Sequence, residues 1–118
     1  MHTGIYKITN LQNNKSYIGK SKNIEERWKE HVYEAKIGSS RILCKSLRKY
    51  GIENFSFEII EEIPIEKYNN ISSEREKYWI QYFSTYGDQG YNMTKGGDGG
   101  HPKGVYIGGL ANSAQATK

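Results

Sequence analysis

A carboxylate set in an apolar stripe is the first feature of this 118-residue chain that invites chemistry. Glu76, Trp79, Ile80 and Phe83 recur at i, i+3, i+4 and i+7, the spacing of one helical face. A carboxylate in such a line must be paired, hydrogen-bonded or bound to a cation. Ser73 stands three residues before it, which is also capping-box spacing, so Glu76 reads equally as a cation ligand or as the finish of a helix start. Arg27 and His31 lie four residues apart on an earlier predicted helix and project from one line. One is a permanent, forked cation and the other titrates near neutrality. Brought together with the hairpin phenols of Tyr6 and Tyr17, they could bind an anion and move a proton. Kept apart, they are an exposed arginine, a surface histidine and two packing tyrosines.

The elements that must position these side chains follow from periodicity. Residues 4–9 and 16–20 alternate and are joined by Asn10-Leu11-Gln12-Asn13-Asn14, which predicts a β-hairpin carrying both tyrosines. Asn23 followed by Glu26 opens a helix over residues 24–36, closed by Gly38. Its core stripe is expected at Trp28, Val32 and Ala35, with Arg27 and His31 at the margin. A second helix is expected over 41–50, ending at Gly51, and Phe55-Ser56-Phe57-Glu58-Ile59 alternates as a third strand. A last helix is expected over 73–84, with residues 65–72 open between helix and loop. The order β-β-α-α-β-α is a small α/β sheet with helices packed on it.

Composition bounds the possibilities. Lys and Arg total 17 against 13 Asp and Glu, but residues 1–50 hold 11 basic and 4 acidic while the rest is net acidic. A basic, aromatic-rich half suits a polyanion-binding face, with Lys20, Lys22, Lys29, Lys36, Arg41, Lys45, Arg48 and Lys49 as candidate phosphate contacts. The single cysteine, Cys44, excludes a disulfide framework and a cysteine-based zinc site, and suits a reducing compartment. No run is long and apolar enough to span a membrane, and the first residues do not resemble a signal peptide. Half of residues 96–109 are glycine, so residues 1–95 are expected to form the domain and 96–118 a flexible tail or linker.

In order, Gly4-Ile5-Tyr6, Tyr17-Ile18-Gly19, Arg27, His31, Glu76 and Asn92 resemble the GIY-YIG nuclease superfamily, chiefly the catalytic domains of phage and group I intron homing endonucleases. Asn13-Asn14-Lys15 and Glu74-Arg75-Glu76 with Trp79 add to the likeness, which runs from Gly4 to about Thr94. The stretch between Pro64 and Glu74 is slightly longer than in that family. The resemblance implies a three-stranded antiparallel sheet flanked by helices, and a metal-dependent endonuclease acting on DNA. It implies catalytic roles for Tyr6, Tyr17, Arg27, His31, Glu76 and Asn92.

Phosphodiester hydrolysis needs an activated water and neutralised transition-state charge. Tyr6 or His31 would handle the water proton; for Tyr6 this requires neighbouring cations to lower its pKa. Arg27 would meet the phosphate oxygens, and Tyr17 would bond the phosphate or tune Tyr6. Glu76 would be the sole protein ligand of one magnesium or manganese ion, with waters and DNA oxygens completing the shell. Asn92 would hold a side chain or the substrate in register. The resemblance places the protein in the cytoplasm of a bacterial cell, phage- or host-encoded, with DNA as partner and no membrane, and leaves oligomeric state open. Repair, restriction and junction-processing nucleases, and a silent DNA-binding module, are the competing readings.

Overall fold

The computed structural model describes residues 1–96. Of the expected tail, all but Gly96 lies outside the described residues. Strand β1 (Gly4–Asn10) is central, with β2 (Ser16–Ser21) on one side and β3 (Phe55–Glu62) on the other, both antiparallel to it. The order β2-β1-β3 makes β2 an outer strand. Because opposed residues share a face, the pairs Tyr6–Gly19 and Ile8–Tyr17 lie on one side of the sheet. Ile5, Lys7, Ile18 and Lys20 lie on the other.

Each face is covered. Helices α1 (Ile24–Lys36) and α2 (Ile42–Tyr50) close over Tyr6 and Ile8, burying Ile24, Ala35, Leu43, Leu47 and Phe55 with them. Helix α3 (Tyr68–Phe83) packs on the opposite face, where Ile80 joins Ile5, Ile18 and Ile63. A register shift between Ile5 and Tyr6 skips one residue of β3. Strict alternation would put Glu58 and Glu61 on opposite faces. The bulge turns both to the α3 side, where Glu58 meets Lys7 and Glu61 accepts hydrogen bonds from Arg75 and Trp79.

The first helix has the expected bounds, and the Asn23 side chain accepts the Glu26 N–H at 3.2 Å. Its buried stripe differs from the expected one: Ile24, His31 and Ala35 are buried, while Trp28 and Val32 are only partly so. His31 is thus a core residue rather than a marginal one. The last helix begins at Tyr68, five residues before the expected start, after a short 3-10 turn at Ile65–Lys67. Asn69, Asn70, Ser72 and Ser73 read as turn and cap residues, but packing of Tyr68, Ser72 and Glu76 on one face overrides their weak propensity.

Candidate active site

The early start of α3 removes the capping reading of Glu76. Ser73 is inside the helix, not at its N-cap, so Glu76 is a mid-helix residue between buried Ser72 and Ile80, and it is 5% exposed. The helix is fastened to β2 by Lys20, whose ammonium donates to Ser73 Oγ at 2.7 Å and lies 5.9 Å from the centre of the Tyr68 ring. Lys22 approaches the same ring at 5.8 Å.

On the other face, Tyr6 and His31 share a hydrogen bond of 2.8 Å between the phenol oxygen and Nε2, and each side chain is 1% exposed. Tyr17 completes the aromatic wall, its ring 6.2 Å from Tyr6 and 5.5 Å from His31. Trp28 meets Tyr6 edge-on at 6.3 Å. Gly19 makes this geometry possible. A Cβ there would stand 2.3 Å from Tyr6 Cζ and 2.4 Å from its hydroxyl, so the phenol passes through the space a side chain would occupy. Gly4 is constrained as well, with φ +150° and the Glu61 carbonyl 2.0 Å from where a Cβ would be.

Arg27 donates to Glu30 at 2.9 Å and to Glu34 at 3.4 Å. Arg41, the residue just before α2, donates to the other oxygen of Glu34 at 3.1 Å. Asn92 is placed differently from the rest. Its amide accepts from the Ile18 N–H at 2.8 Å, donates to the Ile18 carbonyl at 2.9 Å and accepts from Thr85 Oγ1 at 2.7 Å. Beside it the Tyr91 N–H donates to Ser16, and the Tyr91 hydroxyl is bonded to Ser46 and Asn10. Asn92 therefore grips the backbone of β2 and does not join the phenol cluster.

The protonation states follow from burial and charge. Burial first, then the Tyr17 phenol and Glu76, push Tyr6 well above the ordinary phenol value, against the pull of Arg27 and Arg41. The two guanidiniums pull the Tyr6 pKa down, as a phenol acting as base requires, but desolvation outweighs them. Burial also raises Tyr17, to about 12, with Arg41 and Arg27 opposing. His31 is driven well below its usual value by burial and by Arg27 and Arg41, and its Nδ1 has no hydrogen-bond partner among the described residues. The pair is therefore neutral at physiological pH. Tyr6, Tyr17 and Tyr68 all feel the Glu76 carboxylate, although Glu76 comes from the opposite face. The Glu76 charge thus acts across the outer strand β2 on the phenols of the other face.

No group of three His, Cys, Asp or Glu side chains is arranged to hold a metal among the described residues. Glu76 supplies a hard, buried carboxylate in a field that disfavours further negative charge on its phenol neighbours. Those residues fit a divalent cation that takes a single protein ligand. Sequence reasoning missed Arg41 and Glu34 as parts of the site. Arg41 was one of eight scattered basic residues, and only the α1–α2 joint brings it against Glu34.

The GIY-YIG catalytic domain family matches residues 2–92, a span that takes in the residues of this site, and the chain belongs to that family. The fold and the family are those of an endonuclease catalytic domain. Intron-associated endonuclease 1 of Enterobacteria phage T4 is 42% identical over 95 residues, covering 79% of this chain and 37% of that protein. Two solved structures of the catalytic domain of the homing endonuclease I-TevI, one of them a mutant, are also similar. They give TM-scores of 0.71 and 0.68 at 38% and 40% identity, covering 80% and 78% of this chain and 96% and 98% of theirs. The chain spans less than half the length of the curated T4 relatives it matches. No helix among the described residues is long and apolar enough to cross a membrane.

Proposed function

We propose that this chain is the catalytic domain of a homing endonuclease that hydrolyses DNA phosphodiester bonds, acting in the cytoplasm of a bacterial cell. The observation that carries the reading is the buried Tyr6–His31 hydrogen bond, with the charges of Arg27 and Glu76 both acting on the Tyr6 phenol. Nucleases of this family are generally divalent-metal dependent, and the ion proposed here is magnesium or manganese on Glu76. When bound, it would supply positive charge for the phosphate oxygens and for the leaving 3′ oxygen.

The chain's own residues perform the rest. Arg27 aims a forked guanidinium at the phosphate oxygens, and its charge is held by the Glu34 and Glu30 carboxylates despite burial. Tyr6 is too strongly held in its neutral form to wait as a phenolate. It accepts the water proton only as its own proton passes to His31 Nε2, a concerted transfer along the 2.8 Å bond. A bound phosphate offsets Arg27 and Arg41, the charges that depress His31, so the imidazole becomes more basic when substrate is present. Tyr17, neutral, donates a hydrogen bond to a phosphate oxygen. Asn92 is a positioning residue: it holds Ile18, and with it the flanking Tyr17 and Gly19, in register.

The test is incubation of the purified chain with supercoiled plasmid and MgCl2 or MnCl2, with and without EDTA. Conversion to nicked or linear DNA that EDTA abolishes is the expected result. Intact plasmid with both ions contradicts the reading.

A further inference from the structure

The arrangement of Arg27, Glu34 and Arg41 carries an inference that rests on the nuclease reading and deepens it. The two oxygens of the Glu34 carboxylate face two different guanidiniums, Arg27 from the same helix and Arg41 from across the α1–α2 joint. A phosphodiester has the same character, two terminal oxygens sharing one negative charge, and guanidiniums suit such oxygens in a forked geometry. We propose that Arg41 is a second phosphate-binding residue of the site, and that Glu34 holds Arg27 and Arg41 as a clamp until a DNA phosphate displaces it.

Several independent features point the same way. With Glu30 and Glu34 in place the two arginines are balanced by two carboxylates. With Glu34 turned out, the cluster carries one net positive charge to receive the phosphate. The Arg41 side chain is 42% exposed and can be approached from solvent, whereas that of Arg27 is 18% exposed. The Arg41–Glu34 pair is open to solvent and adds little to stability, so exchanging the partner of Arg41 costs little. Arg41 is the N-cap of helix α2, which has no side-chain cap and no acidic residue in its first turn, and this leaves its positive end open to an anion. Arg41 also faces the chemistry: its charge acts on Tyr6, Tyr17 and His31, and after burial it is the leading influence on Tyr17.

The test uses the full chain carrying Arg41→Ala, Arg41→Lys or Glu34→Gln, with thermal melting to confirm folding. Binding of a short DNA duplex is measured by fluorescence anisotropy across a salt series in EDTA, and single-turnover plasmid cleavage across enzyme concentrations in magnesium. Arg41→Ala is expected to weaken duplex binding by roughly tenfold, the loss of one charge-assisted hydrogen bond. It should make the salt slope shallower by about one. The cleavage loss should fall on the half-saturating concentration more than on the limiting rate. Arg41→Lys should restore the salt slope, and Glu34→Gln should tighten binding. A wild-type salt slope in Arg41→Ala, or weaker binding in Glu34→Gln, overturns the clamp. Because binding is read in EDTA, it decides the role of Arg41 even if the wild-type chain fails to cut plasmid, a result that would count against the nuclease reading instead.

Discussion

Gly19 stands directly across the β1–β2 ladder from Tyr6, and the Tyr6 phenol fills the space where a Gly19 side chain would be. Gly19→Ala must therefore displace the phenol from His31, since β1 at the sheet's centre cannot retreat. The expected outcome is a destabilisation of about 1–3 kcal/mol from overpacking. A fall in single-turnover rate on the order of 10² should accompany it as the Tyr6–His31 bond is lost. Thermal melting and cleavage at saturating enzyme check both. A variant that melts and cuts like wild type would mean the phenol has another resting place.

The pH dependence follows from the directions of the shifts. His31 must be neutral to accept a proton, and its pKa is held well below 6.5. Activity limited by His31 is therefore full through neutral pH and is lost only as pH falls through that depressed value. Tyr6 lies well above 10 and Tyr17 at about 12, so neither phenol ionises between pH 7 and 9. In single-turnover kcat/KM profiles the pH 7–9 region should show no inflection from these groups. An acid limb centred at or above 6.5 would show that the burial of His31 does not govern its basicity.

Glu76 should prove indispensable to the chemistry and dispensable to binding. Glu76→Ala is expected to lower magnesium-supported cleavage on the order of 10³ or more, consistent with the loss of transition-state charge stabilisation. Duplex affinity measured in EDTA should stay within a few fold. Cleavage at the wild-type rate would place the cation on other ligands.

Asn92 is expected to act through structure. Truncating it to Ala leaves the buried Ile18 N–H and carbonyl without their amide partner, a cost of about 1–3 kcal/mol for each group left unsatisfied. Denaturant unfolding should show that loss. The cleavage rate of the folded fraction should fall less than in Glu76→Ala, with an unchanged pH profile. A catalytic loss as deep as that of Glu76→Ala in a fully folded variant would put the amide on the substrate.

Much of this was legible in the residues, for physical reasons that differ by element. The first helix was readable because Asn23 is a true cap, with its side chain on the Glu26 amide. The hairpin was readable because alternation fixes which side chains share a face. The start of α3 was not, because Asn69, Asn70, Ser72 and Ser73 are weak helix formers that tertiary packing holds in place. His31 reads as marginal because a ring that can carry charge is normally kept near water; here its imidazole is bonded to the Tyr6 phenol, contributed by a strand 25 residues away in sequence. The net direction of the tyrosine pKa shifts is hidden in the sequence for a related reason. Spacing shows where cations lie along the chain, but not how completely the phenols between them are desolvated.

Proton transfer through Tyr6 and His31 is tested most directly by single-turnover plasmid cleavage, at saturating enzyme and pH 7.5, with wild type, Tyr6→Phe, His31→Ala and the double variant. Each single variant is expected to lose on the order of 10² to 10⁴ in rate. The double variant should lose little more than either, because the two side chains act as one unit across a single hydrogen bond. Tyr6→Phe cutting near the wild-type rate while His31→Ala is inactive would contradict a shared relay and leave His31 as the sole base.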